Sequence, residues 1–141
     1  MLIGESLGGH TAMLVAARHP SLVEWLVVIE ASPARAEGVS ERVRAFFQAN
    51  PEAYDAHLDA DGAAATVAEL DQSDWWDDWR AIRCPVLVVR GEDGNLDAAT
   101  AAQMAATNPN AEVVVIERAG HDVHLDRPDG LAGVIERFAQ D

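Results

Sequence analysis

Gly4-Glu5-Ser6-Leu7-Gly8 sets a serine between two glycines in a G-x-S-x-G spacing, and Gly9 extends it. A serine hydroxyl is a poor nucleophile at neutral pH unless a base removes its proton, so attack on a carbonyl requires a histidine within hydrogen-bond reach. Position gives the pattern its meaning: it comes after the apolar stub Met1-Leu2-Ile3 and precedes a helix. A serine at such a sharp strand-to-helix turn has a strained backbone that lifts its hydroxyl above the sheet edge. Side chains at Gly4 and Gly8 are expected to collide with neighbouring backbone, which makes glycine necessary at both flanks. The backbone N–H of Leu7, at the helix N-terminus, would point toward an oxyanion formed during acyl transfer.

Five histidines are available as the base. His10 and His19 lie in or at the end of the helix after Ser6, and His57 lies in an acidic stretch, so structural or solvent-facing roles are expected for them. Ala119-Gly120-His121 comes after the last apolar run, and loops at the carboxyl edge of a parallel sheet collect active-site groups. His121 is therefore the expected base. His124 is expected to pack or cap near the final helix, with spatial rather than sequence position deciding between the two.

The elements that must position these residues alternate between strand and helix. Gly8 to Arg18 is apolar on nearly every side, as a buried helix would be, and His19-Pro20 ends it. Trp25-Leu26-Val27-Val28-Ile29 is a continuous apolar run rich in β-branched residues, the pattern of a parallel strand covered on both faces. Val86-Leu87-Val88-Val89 and Val113-Val114-Val115-Ile116 predict two more strands. A helix from about Ala98 to Thr107, with Asp97 as its cap, separates them, and Pro128 opens a last helix to about Ala139. This order predicts an α/β protein with a parallel sheet and flanking helices. Ala34 to Ala81 interrupts the alternation with alanine-rich, acidic helical segments in which Val39, Val43, Phe46 and Phe47 share one helix face. The chain thus divides into residues 1–33, an insert at 34–81, and residues 82–141.

Composition narrows the function classes. The 141 residues are 49% hydrophobic and 24% charged, enough for one soluble core. A formal net charge of -14 repels phosphate backbones and anionic lipid, so no nucleic-acid or membrane partner is expected. Much of that acidity lies between Glu52 and Asp78 and reads as a solvated helical face. The lone cysteine, Cys84, excludes an intramolecular disulfide and a multi-cysteine metal site; its place before a strand suggests packing. No run approaches the roughly 18 apolar residues of a membrane span. Met1 to Glu5 has no basic segment followed by an apolar one, so a cytoplasmic location is expected.

Three stretches together resemble the α/β-hydrolase family, in its esterase- and lyase-like branch: Gly4-Glu5-Ser6-Leu7-Gly8-Gly9, Cys84-Pro85-Val86-Leu87-Val88-Val89-Arg90-Gly91, and Gly120-His121-Asp122-Val123-His124-Leu125-Asp126-Arg127-Pro128. The resemblance implies a helical lid at Ala34 to Ala81. Phe46, Phe47, Tyr54, Trp75 and Trp76 are candidates to line an apolar acyl pocket there, although lid packing explains them equally well, and Trp79 would anchor the helix entering the next strand. It also implies the order serine, acid, histidine. The family's usual acid position falls on Gly94, one residue after Asp93, while Asp97 reads as a helix cap. A second family location, the end of the preceding strand, holds Glu30. Asp93 is favoured over Glu30 as the acid, with both open.

The resemblance further implies a truncated fold, since the family's early strands and the loop supplying a second oxyanion N–H have no counterpart before Met1. A complementing N-terminal half is therefore a candidate partner. The implied activity is acyl transfer through Ser6 on a small-molecule acyl substrate, with ester, thioester and C–C hydrolysis open and no cofactor or metal required. Haloalkane cleavage is disfavoured, because family members doing it carry aspartate where Ser6 stands. The competing reading is a non-catalytic interaction or regulatory remnant that binds through the sheet edge and the Trp75-Trp76 region.

Overall fold

A computed structural model describes residues 1–50 and 59–140; Tyr54 and His57 lie outside the described residues. Four strands, β1 (Leu2–Glu5), β2 (Leu26–Ile29), β3 (Val86–Gly91) and β4 (Ala111–Ile116), form a wholly parallel sheet in the order β1-β2-β3-β4. The helices in chain order are α1 (Leu7–Arg18), α2 (Val39–Ala49), α3 (Ala60–Thr66), α4 (Trp76–Ala81), α5 (Ala98–Thr107), α6 (Val123–Asp126) and α7 (Pro128–Phe138). The sheet and flanking helices match the α/β architecture that the sequence pattern predicts. Short α6, inside the histidine loop, has no signal in that pattern.

The two-residue period of a strand sends alternate side chains to opposite faces. Leu26, Val28, Val86 and Val88 pack with Ala12, Met13 and Ala16 of α1, Trp79 of α4 and Met104 of α5. Val27, Ile29, Leu87 and Val89 pack on the other face with Val123, Leu131, Val134 and Phe138. Every residue of β2 is buried, which is why its sequence is apolar without alternation. Each fully buried valine or leucine contributes roughly 1.5–3 kcal/mol relative to an exposed one, so the central strands are the most firmly held part of the fold.

The chain forms two compact units, one of Met1–Pro33 with Trp76–Asp141 and one of Ala34–Trp75. Helix α4, which the sequence pattern places in the insert, lies in the first unit. Trp79 explains this: its side chain is fully buried, its Nε1 donates to the Met104 carbonyl at 3.0 Å, and its own carbonyl accepts from Asn108 Nδ2 at 2.9 Å. Arg18 reaches Asp78 with two bonds of 2.9 and 3.0 Å, tying α4 to α1. Cys84 packs against the same core. In the second unit Asp71 caps α2 by accepting from the Val39 and Ser40 amides at 2.7 and 3.2 Å. Its buried residues include Ala63, Ala64, Val67 and Leu70, and Phe46 meets Phe47 edge-on at 6.0 Å.

The turn carrying Ser6 corrects one expectation. A Cβ on Gly4 would lie 2.3 Å from the Gly8 carbonyl oxygen, and one on Gly9 would lie 2.7 Å from the Ala31 Cβ, so both positions need glycine. A Cβ on Gly8 would meet nothing within 4 Å. The crowding is on the inner side of the turn, where Gly4 faces the Gly8–Gly9 backbone and Gly9 faces Ala31 and Val28, whereas Gly8 faces outward.

Candidate active site

All four strands deliver their carboxyl ends to one edge, and the site is built from the residues just beyond those ends. Ser6 directly succeeds β1, with φ 52 and ψ -121, a conformation that costs a non-glycine residue about 1–3 kcal/mol and must be held by its surroundings. Two backbone bonds hold it: the Ser6 amide donates to the Ile29 carbonyl at 2.9 Å, and the Ser6 carbonyl accepts from the His10 amide at 3.1 Å. Leu7 opens α1, so its N–H has no acceptor within the helix and is available to an anion.

Glu30 directly succeeds β2 and also has a positive φ, 50. Its amide donates to the Val89 carbonyl at 2.9 Å, and its side chain is fully buried. A buried carboxylate is tolerable only if its lone pairs are met. Gly91 N–H donates to Oε1 at 2.7 Å, and Asn95 and Leu96 N–H donate to Oε2 at 2.5 and 3.1 Å. The fourth partner is His121, whose Nδ1 lies 3.4 Å from Oε2. Burial pushes the Glu30 carboxyl upward, but the histidine and the three amides outweigh it and hold the group below its ordinary value. For His121 the bond to Glu30 is the largest influence; it overcomes burial and raises the imidazole above its ordinary value.

The carboxylate that meets His121 is therefore Glu30 and not Asp93, the residue that the sequence favours for the acid. Asp93 is exposed, its amide donates to the Ala119 carbonyl at 2.9 Å, and no bond from its carboxylate to His121 occurs among the described residues. The reason lies at Gly94. A Cβ there would fall 2.3–2.4 Å from the Glu30 carboxyl atoms, so the turn after β3 has given its space to a side chain arriving from β2. The signal is present in the sequence as a glycine where the family usually has its acid. Asp97 caps α5, accepting from the Thr100 amide at 2.8 Å, as its position suggests.

The histidine loop leaves β4 at one side of the sheet and returns across the strand ends. Asp126 Oδ2 accepts from Gly120 N–H at 2.7 Å, closing the loop on itself. His121 thereby reaches Glu30 at the end of β2, and His124 reaches Glu5 at the end of β1, with Nδ1 to Oε2 at 2.6 Å. His124 thus does not cap or pack at α7 but bonds the residue before Ser6. Among the described residues no direct hydrogen bond joins the Ser6 hydroxyl to His121; such bonds are often long before substrate binds. Glu5, Asp122 and His124 bring three potential metal-ligand atoms within 4.8 Å of one another, with Glu5 and His124 in direct contact through Oε2 and Nδ1. His10, in α1, is held neutral: burial lowers it to about 4, which makes it a weaker proton acceptor than an ordinary histidine.

A parallel sheet covered on both faces, a strained serine at its first strand end and a histidine on a buried carboxylate define a hydrolase-like α/β protein. The sequence profile described as the alpha/beta hydrolase family matches residues 1–134, and the chain belongs to that family. It is 28% identical over 170 residues to a Haemophilus influenzae protein provisionally named an esterase/lipase, covering 98% of this chain and 59% of the relative. It is 29% identical over 175 residues to 2-(acetamidomethylene)succinate hydrolase of Mesorhizobium japonicum, covering 98% of this chain and 63% of the relative. Among solved structures, E-2-(acetamidomethylene)succinate hydrolase superposes with a TM-score of 0.79 at 24% identity, covering 99% of this chain and 66% of that one. The enol-lactonase of Burkholderia xenovorans also gives 0.79, at 19% identity, covering 99% and 65%. The chain thus spans about three fifths of the length of the curated relatives it matches. Among the described residues no helix is long and apolar enough to cross a membrane.

Proposed function

We propose that this chain carries the nucleophile and base of a serine hydrolase acting on carboxylic esters or related small acyl substrates. The observation that carries the reading is His121 held by buried Glu30 at the same strand edge as the strained Ser6. With Nδ1 turned to Glu30, the Nε2 of His121 is left to take the Ser6 proton. The Ser6 Oγ then forms a bond to the substrate carbonyl carbon, and the carbonyl electron pair moves to oxygen, toward the Leu7 N–H. Collapse returns that pair and expels the alcohol, which leaves with the proton from His121. Water, activated by the same imidazole, releases the acid and restores Ser6. No step needs a cofactor. The relatives named esterase favour ester over C–C substrates.

One oxyanion donor alone is a weak site, since losing a single donor costs about a hundredfold to a thousandfold in rate. Because relatives are longer, we also propose a complementing polypeptide beside β1, at the free edge of the sheet, as the source of the second. The test is labelling by a fluorophosphonate probe, on the chain alone and with a polypeptide supplying the relatives' additional length. Labelling of Ser6 that disappears in Ser6→Ala supports the reading. Labelling that persists in Ser6→Ala, or no labelling in either preparation, overturns it in favour of a non-catalytic interaction module.

A further inference from the structure

We propose that Arg90 is a positioning residue for the Glu30–His121 pair, acting by clamping the turn whose amides hold the Glu30 carboxylate. This deepens the reading of His121 as the base and rests on it. Arg90 is half-buried on β3, and its guanidinium bends over the turn beyond that strand. Its Nε donates to the Leu96 carbonyl at 2.8 Å and its NH2 group to the Glu92 carbonyl at 3.0 Å, bridging the two ends of the turn.

The two halves of that turn are held differently. The first half is fastened to the neighbouring strand and its loop: Glu92 N–H donates to Ile116 at 3.0 Å, Asp93 N–H to Ala119 at 2.9 Å, and Arg118 N–H to the Glu92 carboxylate at 2.9 Å. The second half carries two of the three donors to Glu30, Asn95 and Leu96, and has no such tie to β4 among the described residues. The buried Leu96 side chain fixes where that residue sits. Arg90 holds the Leu96 carbonyl, in the peptide directly beyond the two that carry the Asn95 and Leu96 donors, and so ties down the end of this half of the turn from outside. The planar guanidinium fork suits two carbonyls at once, and a lysine ammonium cannot reproduce both bonds from the same stem. With the clamp gone, the amides rotate, the Glu30 carboxylate loosens, and the bond that raises His121 weakens.

The sign of the effect separates this role from plain electrostatics. Removing a nearby cation would, by charge alone, make His121 easier to protonate and raise its titration midpoint. Loosening Glu30 lowers that midpoint toward the ordinary histidine value. The experiment is an NMR titration of the His121 ring in the purified 141-residue chain, comparing the unaltered protein with Arg90→Met, Arg90→Lys, Glu30→Gln and the Arg90→Met/Glu30→Gln double variant. The expected result is a fall in Arg90→Met, a fall in Arg90→Lys although charge is kept, a fall in Glu30→Gln, and no further fall in the double variant. A midpoint that is unchanged or raised in Arg90→Met overturns the proposal, as does an added fall in the double variant. If Arg90→Met loses the dispersed spectrum of a folded chain, Arg90→Lys decides: an unchanged midpoint there also overturns it. The readout does not use Ser6, so failed probe labelling would sink the hydrolase reading without touching this result.

Discussion

Glu5 and His124 meet at 2.6 Å, Oε2 to Nδ1, joining the residue before Ser6 to the residue three after His121. The other Glu5 oxygen is buried with no hydrogen-bond partner among the described residues, and the Glu5 charge is among the influences that raise His121. Glu5→Gln is therefore expected to lower the His121 titration midpoint, read by NMR. His124→Ala keeps that carboxylate and should spare the midpoint. Because the pair is partly exposed, either change should alter stability by about 1 kcal/mol or less, measured by urea unfolding. A loss several times larger would show that the contact is a structural keystone of the loop.

The glycines of the Ser6 turn should divide sharply under substitution. Gly4→Ala drives a methyl group to 2.3 Å from a backbone oxygen and Gly9→Ala to 2.7 Å from Ala31, so each should cost several kcal/mol or prevent folding. Gly8→Ala meets open space inside α1 and should be neutral or stabilising by up to about 1 kcal/mol. Thermal unfolding of the three variants checks the contrast, and equal losses would mean that the turn differs from the one described.

How far the sequence carries the site depends on the range of the information needed. The serine turn is local: a strand, five residues and a helix, each legible from periodicity and glycine placement. His121 is reachable because it comes after the last apolar run and loops at that sheet edge gather functional groups. The carboxylate that meets His121 is not, since Glu30 and His121 are 91 residues apart and meet only through strand order and a loop returning across the sheet. The spacing around Asp93 reads as a register offset, whereas Gly94 marks room cleared for Glu30. Bonds such as Glu5 to His124 and Arg90 to Leu96 leave no periodic trace at all, and although Trp79 reads as an anchor for the next strand, periodicity does not show that the whole of α4 groups with the sheet.

The pH dependence of stability should show opposing contributions. His121 is raised above 6.5 when folded, so its contribution is fully present below about pH 6.5 and is lost as pH rises through the folded value. Glu30 is lowered below 4.5, so its contribution is present above that value and is lost as pH falls through the folded one. His10, buried and lowered to about 4, acts against His121: the unfolded chain takes up its proton first, and stability falls as pH drops from 6.5 toward 4. Urea midpoints from about pH 4 to 9 should lose the His121 component in Glu30→Gln. The His10 ring should show no titration between about pH 5 and 8; a midpoint near 6.5 would contradict its burial.

The assignment of the acid is tested by pairing Glu30 with Asp93, since one is joined to His121 and the other is the sequence preference. Glu30→Gln keeps the side-chain shape, but an amide cannot hold the imidazole in the right tautomer or stabilise its charged form. It also puts an NH2 group at one of the two oxygen positions, facing either the Gly91 N–H or the Asn95 and Leu96 N–H pair, so the cradle turns from attractive to repulsive there. In a preparation whose Ser6 reacts, Glu30→Gln is expected to lower turnover by up to about ten-thousandfold with substrate binding little changed. Asp93→Asn changes only an exposed carboxylate whose residue is held through its backbone amide, so turnover should stay within about twofold. Gly94→Ala supplies a third arm: its methyl group would displace the Glu30 carboxylate without altering any titratable group. It should therefore resemble Glu30→Gln in turnover and in a lowered His121 midpoint, while Asp93→Asn resembles the unaltered protein in both. Full turnover in Glu30→Gln, combined with loss in Asp93→Asn, would mean that the turn after β3 rearranges when substrate binds and that Asp93 replaces Glu30 on His121.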